Sequence, residues 1–219
     1  MKRETKRKLV SILFPEKCPY CRIAVKPCEI ACEECTEKLP SRIYEKTVNG
    51  SYKVLSAVPY KDNFADAIKR IKFGGKKQYA YQLAKLMYEK LNTWEHTENY
   101  DVITFVPLHE DTLKSRGFNQ SKLLAEELAY MMGLPCLKLL KKTKKNQPQH
   151  NLTADKREKN VKGVFKCEDK SLVKGKKILV IDDIVTTGFT LGECTKILAD
   201  AEAESIQLMT FALSLPKTT

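Results

Sequence analysis

The stretch KKILVIDDIVTTGFTLGECTKIL, residues 176–198, constrains the fold more than any other. Four apolar residues, Ile178 to Ile181, read as a strand. Two adjacent acids follow, Asp182 and Asp183, then threonines around Gly188, then the helical pattern of TLGECTKILADAEA. In open parallel sheets ligands lie beyond the carboxyl ends of the strands, which is where both acids fall. A helix N-terminus offers unpaired N–H groups and the positive end of its dipole. Thr186, Thr187 and Thr190 add hydroxyl donors, and Gly188 lets backbone approach closely. Such a loop suits a phosphate, and carboxylates beside it accept hydrogen bonds from hydroxyls; a sugar 5-phosphate matches both halves. Two other readings are weaker. A strand ending in two acids resembles a Walker B segment, but no GxxxxGK[ST] loop occurs, and FGGKKQ does not fit. Helix capping needs one acid, and two without a ligand repel each other.

The rest of the chain alternates strands with helices, which argues for a parallel α/β sheet. YKVLSAVPY reads as a strand, and FADAIKRIKFGGKKQYAYQLAKLMYEKLNTW as two helices broken at Gly74-Gly75. Ala67, Ile68 and Ile71 form one apolar face; Leu83, Leu86, Met87 and Leu91 form another. YDVITFVPLH is a buried strand leaving through Pro107. NQSKLLAEELAYMMGLP is a helix ended by Gly133, CLKLLKK a short strand, and SIQLMTFALS the last strand. TKKNQPQHNLTADKREKNVKGVF, long and polar, reads as a mobile loop.

Cysteine placement defines a second unit. Cys18 and Cys21 form one CxxC, and Cys32 and Cys35 another after ten residues. Two such knuckles place four thiolates tetrahedrally around structural zinc; redox pairs rarely come doubled. Cys28 is a fifth thiol at a spacing the site does not need, either a bystander or an exchangeable ligand. Cys136, Cys167 and Cys194 are scattered in apolar or helical context and read as small buried hydrophobes, so a reducing, cytoplasmic compartment fits. EECTEKLP is a helical turn stopped by Pro40, and residues 41–50 read as a linker. The division is 1–50 for the N-terminal helix and cysteine module, and 51–219 for the larger domain. Residues 2–14 suggest a short amphipathic helix with Leu9, Ile12 and Leu13 packed on the body. No apolar run approaches the ~20 residues that span a bilayer, so no membrane insertion is expected. With 39 basic and 27 acidic side chains the net charge is +12, which favours polyanionic partners.

ILVIDDIVTTGFT resembles the phosphoribosyl pyrophosphate (PRPP) motif of type I phosphoribosyltransferases. VPLHEDTLKSRGFNQSKLLAEELA, QHNLTADKREKNVKGVF and IKFGGKK are similar to segments of ComF-type proteins, also called ComFC, and that similarity runs from Cys18 to about Leu213. The resemblance implies a type I phosphoribosyltransferase-like sheet flanked by helices, with an N-terminal zinc module. It implies that Asp182 and Asp183 hold the ribose hydroxyls and that Val185, Thr186, Thr187, Gly188, Phe189 and Thr190 wrap the 5-phosphate. PRPP would bind with Mg2+. Pro107, Leu108 and His109 correspond to the loop that meets diphosphate. Arg116 is a candidate diphosphate ligand, since a guanidinium fork suits phosphate oxygens. Asn119 and Gln120 either position Arg116 or cap the following helix. Gln149, Arg157 and Asn160 fall where related enzymes carry a lid that excludes water.

Purine-type enzymes carry an aspartate three residues after the second acid; this chain has Thr186 there, which speaks against hypoxanthine–guanine chemistry. An amido-type enzyme would need a glutaminase domain, for which the first 50 residues are too few. Two functions follow. One is the accessory of transforming-DNA uptake that the ComF resemblance implies, working with single-stranded DNA and a ComFA-type helicase or translocase. The basic clusters KRIKFGGKK, KKTKK and DKREKNVK suit a polyanion, with Phe73 and Tyr79 interleaved to stack bases. The other is an active phosphoribosyltransferase acting on a small nucleophile.

Overall fold

The structure is a computed structural model and describes residues 3–94, 99–144 and 163–215. Five strands form one sheet: β1 (Tyr44–Val48), β2 (Tyr52–Pro59), β7 (Ser205–Leu213), β6 (Lys177–Val185) and β3 (Val102–Phe105), in that order. The last four run parallel, and β1 pairs antiparallel with β2 at the edge. The sheet is therefore mixed.

Alternation along β6 sorts its side chains to opposite faces. Leu179 and Ile181 join the core beneath α3 (Asp62–Lys72), α4 (Tyr79–Asn92) and α6 (Gln120–Met132). Ile178 and Val180 join a second core with Leu191, Cys194 and Leu198 of α7 (Phe189–Ala199). The helix faces built from Ala67, Ile68 and Ile71, and from Leu83, Leu86, Met87 and Leu91, are buried as their spacing predicts. A separate two-stranded ribbon, β4 (Leu140–Lys142) with β5 (Phe165–Cys167), flanks the polar segment 143–164. Gln149, Arg157 and Asn160 lie outside the described residues.

The segment 41–50, read as a linker, contains β1. Its hairpin turns through Asn49 (φ 47°) and Gly50 (φ 72°), closed by Ser51 N–H donating to the Val48 carbonyl at 3.3 Å. Positive φ at both central residues is what a type I′ turn demands, and Asn-Gly supplies it at low cost.

The cysteine module comprises two turns and α2 (Glu33–Glu37). It is fused to the larger domain by its side chains: Cys18, Tyr20, Ala31 and Cys35 belong to the same buried core as α3, α4 and α6. Tyr20 meets Phe64 edge to face, with ring centroids 5.4 Å apart. Arg70 donates to the carbonyls of Pro19 (2.6 Å) and Tyr20 (2.9 Å), and Lys85 to that of Cys28 at 2.7 Å.

Two expectations fail here. Helix α1 (Arg3–Leu13) forms, but Leu9, Ile12 and Leu13 are 54%, 76% and 78% exposed rather than packed on the body. The contacts of α1 run instead through Arg7, which pairs with Glu16 and Glu127 and lies 4.0 Å over the Tyr81 ring. Tyr79 is buried at the start of α4 and presents no face for a base, whereas Phe73 is exposed. Among the described residues no helix is long and apolar enough to cross a membrane.

Candidate active site and metal centre

Both acids sit inside the end of β6 and cap no helix; α7 begins at Phe189 with Gly188 as its N-cap. Their partners come from two other elements. Asp182 Oδ1 accepts from Ser121 Oγ at 2.7 Å and from its neighbour's N–H at 2.9 Å. Asp183 Oδ1 accepts from Gln120 Nε2 at 3.2 Å, and its other oxygen pairs with the Lys72 ammonium. Gln120 in turn accepts from Arg116 at 2.6 Å. A chain of contacts thus runs Arg116–Gln120–Asp183–Lys72, with Ser121 beside it on Asp182.

Asn119 makes this possible. As the N-cap of α6 its Oδ1 accepts from the N–H groups of Ser121 (2.9 Å) and Lys122 (3.3 Å), while Nδ2 donates to the Val106 carbonyl at 2.9 Å. It pins the start of α6 against the loop that follows β3. In that loop Pro107 is buried, and His109 caps the short α5 (Glu110–Arg116), accepting from Asp111 N–H at 3.2 Å.

Burial, and then the adjacent Asp183 charge, push the Asp182 carboxyl up to about 7; the Ser121 hydroxyl works against them. Burial pulls Lys72 down, but the carboxylates of Asp183 and Asp182 outweigh it and hold Lys72 above the usual lysine range.

The loop between β6 and α7 is clasped from the edge of the sheet. Lys46 of β1 donates to the Thr186 carbonyl, and Asn49 Nδ2 to the Gly192 carbonyl at 2.7 Å. Gly188 has φ 93°, and a Cβ there would stand 2.3 Å from Val48 Cγ1. Among the described residues, no carbonyl takes a backbone hydrogen bond from the N–H of Thr186, Thr187 or Gly188. The arrangement can hold an anion on backbone amides while the neighbouring carboxylates take hydroxyl groups.

The sequence pattern located the two acids, the loop, Asn119 and Gln120. Ser121 and Lys72 were missed as site residues. Each lay inside a segment already singled out, NQSK and IKFGG, but nothing local to either says that it reaches β6.

The Sγ atoms of Cys18, Cys21, Cys32 and Cys35 lie within 4.8 Å of one another, and those of Cys21 and Cys32 are 3.5 Å apart. Thiolates at about 2.3 Å from one zinc form a tetrahedron with edges of about 3.8 Å, so the donor set fits. Burial opposes a Cys18 thiolate, yet hydrogen bonds from the backbone of Cys21, Cys32 and Tyr20 bring its thiol below the usual range. Cys28 stands outside the group: its carbonyl serves Lys85 and its N–H donates to Glu16 at 3.3 Å.

Residues 112–218 match the family model for the phosphoribosyl transferase domain. The match takes in Arg116, Gln120, Ser121, both acids and the loop, and leaves out Lys72 and the β1–β2 hairpin. The chain is 27% identical over 195 residues to the DNA utilization protein YhgH of Salmonella typhimurium, covering 87% of this chain and 81% of that protein. It is 28% identical over 196 residues to competence protein F of Haemophilus influenzae, covering 87% and 82%. The chain is thus a homologue of proteins named DNA utilization protein YhgH and competence protein F, and its residues 112–218 match a phosphoribosyl transferase domain. Among solved structures, the chain is similar to the glutamine PRPP amidotransferase of B. subtilis at 20% identity and a TM-score of 0.40. That match covers 59% of this chain and about a quarter (25%) of the enzyme.

Proposed function

We propose that this ComF-type chain binds PRPP with Mg2+ at the end of β6, and that it serves as a cytoplasmic accessory in the uptake or use of DNA. The observation that carries the reading is the pair of carboxylates held by Ser121, Gln120 and Lys72, directly before a helix-opening loop in which the N–H groups of Thr186, Thr187 and Gly188 give no backbone hydrogen bond among the described residues. Asp182 and Asp183 take the ribose hydroxyls, residues 185–190 take the 5-phosphate, and Arg116 with the 107–109 loop takes diphosphate. Bound with PRPP, Mg2+ would neutralise charge on the diphosphate. Zinc on the four cysteines is structural. The relatives' names support the DNA role, and single-stranded DNA and a helicase-type translocase are the partners it implies.

A second reading, transfer of the phosphoribosyl group to a small nucleophile, is favoured by an open cleft beside the carboxylates, lined in part by Lys72 and Arg116. Diphosphate release from PRPP and Mg2+, measured across pooled amines and nucleobases, tests it. Release that depends on one pool establishes the enzyme. PRPP binding without release, together with loss of DNA uptake in a competent host when Asp183 is changed to Asn, establishes the accessory role. Absence of PRPP binding overturns both.

A further inference from the structure

The cleft just mentioned lies between the end of α3 and helix α5 and encloses about 400 Å3. That volume is in the range of small-molecule sites, about 300–1,000 Å3. Two phenyl rings, Phe73 and Phe118, line it. Phe73 is 75% exposed at the C-cap of α3. Single exposed apolar residues are ordinary, but this one is not isolated. The Arg116 guanidinium stands 5.7 Å from its ring centre, and the Lys77 ammonium stands 4.9 Å from that of Phe118. Thr112 and Ser115 add hydroxyls to the α5 wall. Lys76, Lys77 and Lys114 are exposed on the segments that supply the lining, and Lys69 is offset by Asp66 at 3.1 Å. Glu110 and Asp111 are the acids of α5, both in its first turn.

From these observations we infer that the cleft binds a nucleotide unit, its base stacked on Phe73 and its phosphate held by Arg116 and Lys77. Aromatic platforms interleaved with cations are how proteins hold bases without reading sequence. The inference deepens the DNA reading above and rests on it: it gives the nucleic acid a site. That site shares its walls with the carboxylate pair, because Lys72 both lines the cleft and pairs with Asp183, and Arg116 both lines it and donates to Gln120.

The test uses the full chain with fluorescein-labelled oligothymidylate and with thymidine monophosphate as probes. Variants are Phe73→Ala and Phe73→Trp, with PRPP calorimetry run on each. Phe73→Ala is expected to weaken binding of the bound probe about ten-fold or more, with unchanged melting temperature and PRPP affinity. Phe73→Trp is expected to retain binding and to show indole quenching. Tight binding of the oligonucleotide alone identifies the source as a single strand; equal binding of the monophosphate per site identifies a free nucleotide. Equal probe affinity in wild type and Phe73→Ala overturns the site. So does a wild type that takes PRPP but neither probe, which leaves the PRPP reading standing. Phe73-dependent probe binding without PRPP binding would instead keep the cleft and remove the PRPP reading.

Discussion

Adjacent carboxylates on one strand end repel, and the chain answers with three side chains from distant segments: Ser121 on Asp182, and Gln120 and Lys72 on Asp183. The balance is incomplete, since Asp182 still titrates near 7 against 3.8 when unperturbed. A carboxyl whose folded pKa is raised favours the folded state fully below its unfolded pKa and loses that stability as pH rises through the folded value. Asp182→Asn removes the titration. Its melting temperature should exceed that of wild type by a margin that grows from about pH 4 to about pH 7 and then levels off, as thermal scans across that range will show. A margin independent of pH would mean that Asp182 is not strained. The Lys72 ammonium favours ionisation of Asp182 against its burial. If PRPP needs the ionised pair, its affinity rises with pH through about 7. Lys72→Met should move that rise to higher pH in calorimetric titrations. An unshifted profile would show that Lys72 does not tune the pair.

At the scale of elements, the edge hairpin shapes the anion loop. Val48 fills the space against Gly188, and Lys46 and Asn49 bind the carbonyls of Thr186 and Gly192. Gly188→Ala meets both a clash with Val48 and a left-handed backbone that a side chain disfavours. It should lower stability by more than about 1 kcal/mol. Adding Val48→Ala should recover only part, because the backbone cost remains; chemical denaturation of the single and double variants measures this. Full recovery would assign the whole effect to the clash. The hairpin was hard to read in sequence because β1, YEKTV, is a polar edge strand of the kind that lysine keeps from pairing further. The legible mark was its turn, Asn49-Gly50. The ribbon strand β5 escaped for another reason: three residues at the end of a polar run pair with β4 more than twenty residues earlier, and no local period announces it. Helix α1 shows the converse, since its amphipathic pattern was legible but not that Leu9, Ile12 and Leu13 would face outward.

Across the whole molecule, α3 links the two sites. Arg70 grips the carbonyls of the first cysteine turn, and two residues later Lys72 grips Asp183. Zinc binding in so small a module is folding free energy, so Cys32→Ser should abolish bound zinc, and through α3 it should also weaken PRPP binding several-fold. Metal analysis alongside calorimetry will tell; full zinc content in the variant would refute the metal assignment, and intact PRPP affinity without zinc would refute the link. Chemistry carried by neighbours in sequence, the two acids, their loop and the paired CxxC turns, was legible from the chain alone. Chemistry assembled across 61 to 111 residues was not, because Lys72 and Ser121 acquire their roles only when α3 and α6 pack on β6. The central claim is that the acids at the end of β6 bind PRPP, and calorimetry with PRPP and Mg2+ at pH 8 on Asp182→Asn and Asp183→Asn tests it most directly. A charge-assisted hydrogen bond contributes about 1.5–3 kcal/mol, so each variant should bind roughly ten- to a hundredfold more weakly than wild type, while affinity unchanged in both would contradict the account.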